Sequence, residues 1–199
     1  MLKRPPVKES VCSNPKSKLS GCQVFPAVVW DIETYQLRAN EGFIMASAIK
    51  PLGLPPIVHW NKNLGKNSMD DRELCLEIRD TLEQAELVFT FYGLGFDLKM
   101  LNSRLLFHRE RPLSPRLHID LYRLVRSTIN TSRRSLAVVT AFFGIKGKTH
   151  VDMEKWLELA FLGSGKALAE VIDHMKKDVE ITEKLIPILR HSVKSISRA

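Results

Sequence analysis

Cysteine is scarce in this chain: there are three in 199 residues, at Cys12, Cys22 and Cys75. A sparse, odd set makes no disulfide framework, and free thiols fit a reducing compartment. Long apolar runs are missing too. Stretches such as Phe25 to Trp30 fall far short of the roughly 18 residues a membrane-spanning helix needs, and no signal-peptide core follows Met1. Secretion and membrane insertion are therefore not expected, and an intracellular location is. No internal repeat is found. With 44% hydrophobic and 26% charged residues, the composition is that of an ordinary globular protein.

Acid is also in short supply. Thirty Lys and Arg against 22 Asp and Glu give a formal charge of +8, which suggests a polyanionic partner. The excess is concentrated between Lys99 and Arg134, where Lys99, Arg104, Arg109, Arg111, Arg116, Arg123, Arg126, Arg133 and Arg134 face only Glu110 and Asp120. A phosphate-contacting face and a solvated surface are both compatible with such a run. Residues 1–24, with Lys3, Arg4, Lys8, Lys16 and Lys18, read as a flexible basic tail, and 191–199 as a basic C-terminal tail. Pro5, Pro6 and Pro15 argue against the amphipathic helix of a mitochondrial transit peptide. Cys12 and Cys22 lack a second ligand pair at zinc spacing.

The folded part is expected from Phe25 to about residue 190. Phe25–Trp30, Phe43–Ile49, Ile57–Trp60 and Leu87–Tyr92 read as strands. Helical spacing is predicted over Met69–Glu86, after Asp97, over Ser135–Phe143 and over Ala167–Leu189, where Pro187 could bend the last turn. Strands early and helices late predict an α/β sheet with helices on its faces.

Several carboxylates stand where the pattern asks for apolar side chains. Asp31 and Glu33 lie two apart at the end of the first strand, so alternation puts both on one face, where they repel each other. A hard divalent ion between them would relieve that repulsion, although exposed strand-end acids are common. On the last helix, Val171, Met175, Thr182, Leu185, Ile186 and Leu189 form one stripe; Asp178 lies inside it and His174 at its edge. Asp173, Lys176, Lys177, Glu180, Glu183 and Lys184 are expected to face solvent. Asp97 heads a helix whose same-face positions are Leu101 and Leu105, so it too points inward. A buried ion pair explains one such acid more easily than it explains three sites.

The stretches VVWDIET (28–34), FYGLGFDLKML (91–101), LHIDLYRLVR (117–126), SLAVVTAFFGI (135–145) and HMKKDVEIT (174–182) resemble the consecutive motifs of the DEDD, or DnaQ-like, exonucleases. That family belongs to the ribonuclease-H-like superfamily, and the likeness is strongest to small stand-alone phage and microbial exonucleases. The resemblance spans Phe25 to about Leu189. It implies a ribonuclease-H-like mixed β-sheet flanked by helices, and 3′-to-5′ hydrolysis of DNA or RNA with two Mg2+ or Mn2+ ions. Asp31, Glu33, Asp97 and Asp178 take the places of the metal ligands, and His174 that of the general base. Two departures stand out. Relatives carry a tyrosine four residues before the last aspartate or a histidine five before it, whereas here a histidine stands four before; and Tyr92 replaces an asparagine of the N-G-x-x-F-D pattern. The resemblance also gives Asp120 either a supporting or a structural place. Candidate nucleic-acid contacts are Thr34, Tyr92, Phe96, Trp156, Arg123, Arg126, Arg133, Arg134, Lys146 and Lys148, with core packing or a solvated loop as the other reading of several. The partner implied is the 3′ end of a single strand, with a replication or repair protein as a further one. An endonuclease on the same fold and a silent nucleic-acid-binding module are the competing functions.

Overall fold

Runs of Val, Ile and Ala suit strands covered on both faces, and the chain builds its centre from them. The computed structural model describes residues 25–193 and 197–198, so the expected N-terminal basic tail, with Cys12 and Cys22, lies outside the described residues. Strands β1 (Phe25–Tyr35), β2 (Phe43–Pro51) and β3 (Ile57–Trp60) form an antiparallel meander. Strands β4 (Ala85–Thr90) and β5 (Leu117–Asp120) join β1 in parallel, and a two-residue β6 (Ser197–Arg198) pairs antiparallel with β5. The sheet order is β3-β2-β1-β4-β5-β6. This is the mixed α/β sheet that the sequence predicts.

Helices α1 (Arg72–Leu82) and α2 (Asp97–Phe107) cover one face. The other face is covered by α3 (Leu121–Thr128), α4 (Leu136–Phe142) and α6 (Gly165–Leu189). Alternation along β1 sends Val28, Trp30 and Ile32 to the first layer and Ala27 and Val29 to the second. The next odd positions, Asp31 and Glu33, therefore belong to the α6 side. Ala46 and Ala48 of β2 pack in the same layer as Met175 and Val179, and their small side chains let a long helix lie close to the sheet.

The structure shifts several expectations. The helix expected over Met69–Glu86 is only Arg72–Leu82, because turns fill the preceding stretch and Ala85 already starts β4. Val179 and Ile181 widen the buried stripe of α6. Glu183, expected in solvent, accepts from the Gly53 N–H at 2.7 Å and pairs with Lys50 Nζ at 2.6 Å, tying the β2–β3 turn to α6. Helix α5 (Met153–Leu157), which runs into a π-helical turn at Glu158–Leu162, was not expected at all. Beyond α6 a short 3-10 turn, Arg190–Ser192, and β6 occupy part of the segment expected as a C-terminal tail. Among the described residues no helix is long and apolar enough to cross a membrane.

Candidate active site

The four expected acids come from three elements and face one another near the end of β1, close enough to shift one another's titration. Asp31 and Glu33 leave the strand on its α6 side. Asp178 approaches from α6 and is 6% exposed. Asp97, the first residue of α2 and also buried, accepts the backbone N–H of Ile32 at 3.1 Å through Oδ1, which docks it between the two strand acids. Burial pushes the Asp31 carboxyl well above its ordinary range, and Glu33, Asp97 and Asp178 push it further. Glu33 rises to about 8, chiefly through burial and then through Asp178. Asp97 rises to about 7 through burial, although the hydrogen bonds it accepts from backbone oppose the shift. Lys148 Nζ pairs with Asp178 Oδ2 and pulls the Asp31 and Glu33 values back down.

One oxygen is left over. Asp178 Oδ1 is buried with no hydrogen-bond partner, an expensive state for a carboxylate. Among the described residues no three His, Cys, Asp or Glu side chains are already drawn together as a ligand group. All-oxygen donors, mutual repulsion and an orphaned buried oxygen fit a hard divalent ion.

The loop that presents Asp97 is held by Asp120. Its Oδ1 accepts from Tyr92 N at 2.8 Å and Tyr122 N at 3.0 Å, and its Oδ2 accepts from Leu94 N at 3.1 Å. Asp120 is therefore committed to the backbone. In this loop Tyr92 has a φ of 74°, in the left-handed region that asparagine enters more readily than tyrosine, so the tyrosine is held there at a conformational cost. Its ring lies edge-on to Tyr122 at 4.9 Å and stays half exposed. A Cβ on Gly93 would come within 2.5 Å of the Thr90 side chain, so glycine is required there.

His174 stands one turn before Asp178, with Nε2 3.8 Å from both Glu33 Oε1 and Asp178 Oδ2. Its Nδ1 lies 2.8 Å from Thr149 Oγ1, and Trp156 lies edge-on to the ring at 6.4 Å. Burial lowers its pKa below the ordinary histidine value, partly opposed by Asp178.

The remaining expected contacts separate into two groups. Arg123, Arg126, Arg133, Arg134 and Lys146 are exposed. By contrast, Arg104 of the same basic run is wholly buried against Asp71, and Arg111 pairs with Glu83, so neither belongs to a free basic face. Phe96 packs against the core under α2 and Thr34 donates its hydroxyl to Gln36 O at 2.8 Å, so both have structural partners. Lys148, expected on a phosphate track, reaches into the acid cluster instead. Sequence reasoning missed Thr149 entirely. A hydroxyl next to Lys148 in a loop of no fixed period carries no local signal.

A mixed sheet with helices on both faces defines the fold class, and comparison with known proteins agrees. An RNase H superfamily family model matches residues 28–190, so the chain belongs to that family. No curated protein matches it. Among solved structures it is similar to the family B DNA polymerase of the hyperthermophilic archaeon Pyrobaculum calidifontis, at 19% identity and a TM-score of 0.69 over 83% of this chain. The match covers 25% of the polymerase, and it shows the shared fold.

Proposed function

We propose that the chain is a metal-dependent 3′-to-5′ exonuclease of the DEDD type, acting on DNA or RNA and releasing nucleoside monophosphates. The observation that carries this reading is the cluster of buried Asp97 and Asp178 with half-buried Asp31 and Glu33, short of counter-charge and with one oxygen unpartnered. Two Mg2+ or Mn2+ ions held by these four acids would supply charge stabilisation to the attacking and leaving oxygens. Asp31 and Glu33 hold their places through the strand, Asp178 through the helix, and Asp97 through its bond to Ile32 N. Lys148, paired with Asp178 Oδ2, would compete for the Asp178 carboxylate with an ion held there, whereas Oδ1 would be available to it.

A water attacks the phosphorus, the bond from phosphorus to the 3′ oxygen breaks, and His174 Nε2 takes the proton of the water. The freed 3′ oxygen takes a proton from solvent to leave as the hydroxyl of the shortened strand. A histidine that burial keeps neutral is suited to that step near neutral pH. The half-exposed ring of Tyr92 supports stacking with an unpaired base, and the exposed arginines of α3 and the following loop support phosphate contacts.

The test is incubation of the purified protein with end-labelled single-stranded and duplex DNA and RNA, with magnesium, manganese or chelator. Stepwise loss from the 3′ end, abolished by chelator and absent on a circular strand, is expected. Cutting of the circle would favour an endonuclease, and no cutting with retained binding would favour a silent binding module.

A further inference from the structure

The loop after α4 lies along the face of α6 that carries the site. Gly147, at φ 126°, passes so close to the helix that a Cβ there would stand 3.2 Å from Ile181 Cγ2. Lys148 pairs with Asp178, and Thr149 Oγ1 stands 2.8 Å from His174 Nδ1. Successive loop residues therefore meet α6 at 181, 178 and 174, steps of three and four that keep to one helical face. The loop runs antiparallel to the helix as a strap, and its register decides which group meets which.

The Thr149 contact is the one hydrogen bond of the imidazole among the described residues. The two acid oxygens nearest Nε2 stand at 3.8 Å, beyond hydrogen-bond reach. A neutral imidazole carries a single N–H, so a proton held on one nitrogen leaves the lone pair on the other, and a threonine hydroxyl can serve either nitrogen state as acceptor or donor. We propose that Thr149 is the positioning residue of His174: its hydroxyl oxygen accepts the Nδ1–H, fixing the ring and leaving the Nε2 lone pair aimed between Glu33 and Asp178. This rests on the exonuclease reading, in which Nε2 takes the proton of the attacking water.

The tautomer is read from long-range 1H–15N spectra of the imidazole in the metal-free protein at about pH 8, where a histidine is neutral. Thr149→Val removes the hydroxyl and keeps the shape, and Thr149→Ser restores the hydroxyl. We expect Nδ1-protonated His174 in the wild type and the serine variant, and a shift toward the Nε2-protonated form in the valine variant. With magnesium, Thr149→Val should lower kcat on the order of tenfold, the worth of one neutral hydrogen bond, with KM unchanged. In a His174→Ala background the same change should cost nothing further, because the group it positions is gone. An Nε2-protonated wild type, an unchanged tautomer in Thr149→Val, or an equal loss in both backgrounds would overturn the proposal. Full activity of His174→Ala would instead defeat the base assignment, which the spectra do not address.

Discussion

Two buried aspartates in this molecule have opposite surroundings. Asp71 is fully buried, and both of its oxygens are answered: Ile44 N donates at 2.8 Å, Arg104 Nη2 at 2.8 Å and Arg104 Nε at 3.0 Å, and His108 Nε2 stands at 2.7 Å. Arg104 in turn donates to Ala39 O and Met69 O, so one ion pair stitches α2 to the start of β2 and to the loop before α1. Asp178 is buried too, yet among the described residues it has other acids and His174 beside it, its Oδ2 pairs with a lysine from a loop, and its Oδ1 has no partner. The first arrangement closes on itself. The second does not close, and under the proposed function that is the physical difference between a carboxylate that holds a fold and one that does chemistry.

Deleting each aspartate in turn separates the two roles by the widest margin. Asp178→Ala should reduce hydrolysis by more than about 1,000-fold, the scale of charge stabilisation a metal site supplies, while the metal-free melting temperature stays level or rises as repulsion is relieved. Residual turnover of more than a few per cent would remove Asp178 from the site. Asp71→Ala should do the reverse, costing about 3–5 kcal/mol of stability because Arg104 is left buried without its partner. Chemical denaturation reads the loss, and a cost below about 1 kcal/mol would mean that the pair is dispensable.

A smaller effect is expected at Lys148. Its side chain is 30% exposed, so the pair with Asp178 is worth at most about 1 kcal/mol. Lys148→Met should accordingly tighten manganese binding by up to about fivefold in calorimetry, since the ion no longer displaces an ammonium. Unchanged or weaker binding would show that the lysine does not compete for the site.

The smallest effect lies on the outer surface. Neutralising Arg123 and Arg126 together should flatten the salt dependence of single-strand binding by about 0.7 log-log units for each phosphate that is no longer neutralised, with turnover at saturation little changed. An identical slope would return these arginines to the solvated surface.

Much of the site was legible in the sequence because inward acids violate a period. Asp178 interrupts the stripe of α6 and Asp97 heads the Leu101–Leu105 face, and each anomaly stands out within one or two helical turns. What stayed hidden depends on distant register. Asp71 and Arg104 are 33 residues apart, and nothing local marks either as half of a buried pair; Arg104 even read as part of a basic run. Strand β5 has four residues, two of them His118 and Asp120, too short and polar for a strand pattern. Thr149 meets His174 only because Gly147 lets the strap pass close to Ile181, a contact made by tertiary packing and by no periodicity.

If the four acids are strained by their own charge until a cation joins them, stability must depend on pH in a particular direction. Glu33 has its folded pKa raised from the ordinary value of 4.5 to about 8, so the unfolded chain releases this proton at lower pH than the folded one. The unfolded state then binds fewer protons, and stability falls as pH rises through that window. Metal-free wild type should therefore lose melting temperature between about pH 4.5 and 8 relative to Glu33→Gln, and saturating manganese should flatten the difference. Parallel curves for the two proteins, with no manganese effect, would mean that the acids carry no such strain and that no cation is needed to relieve it.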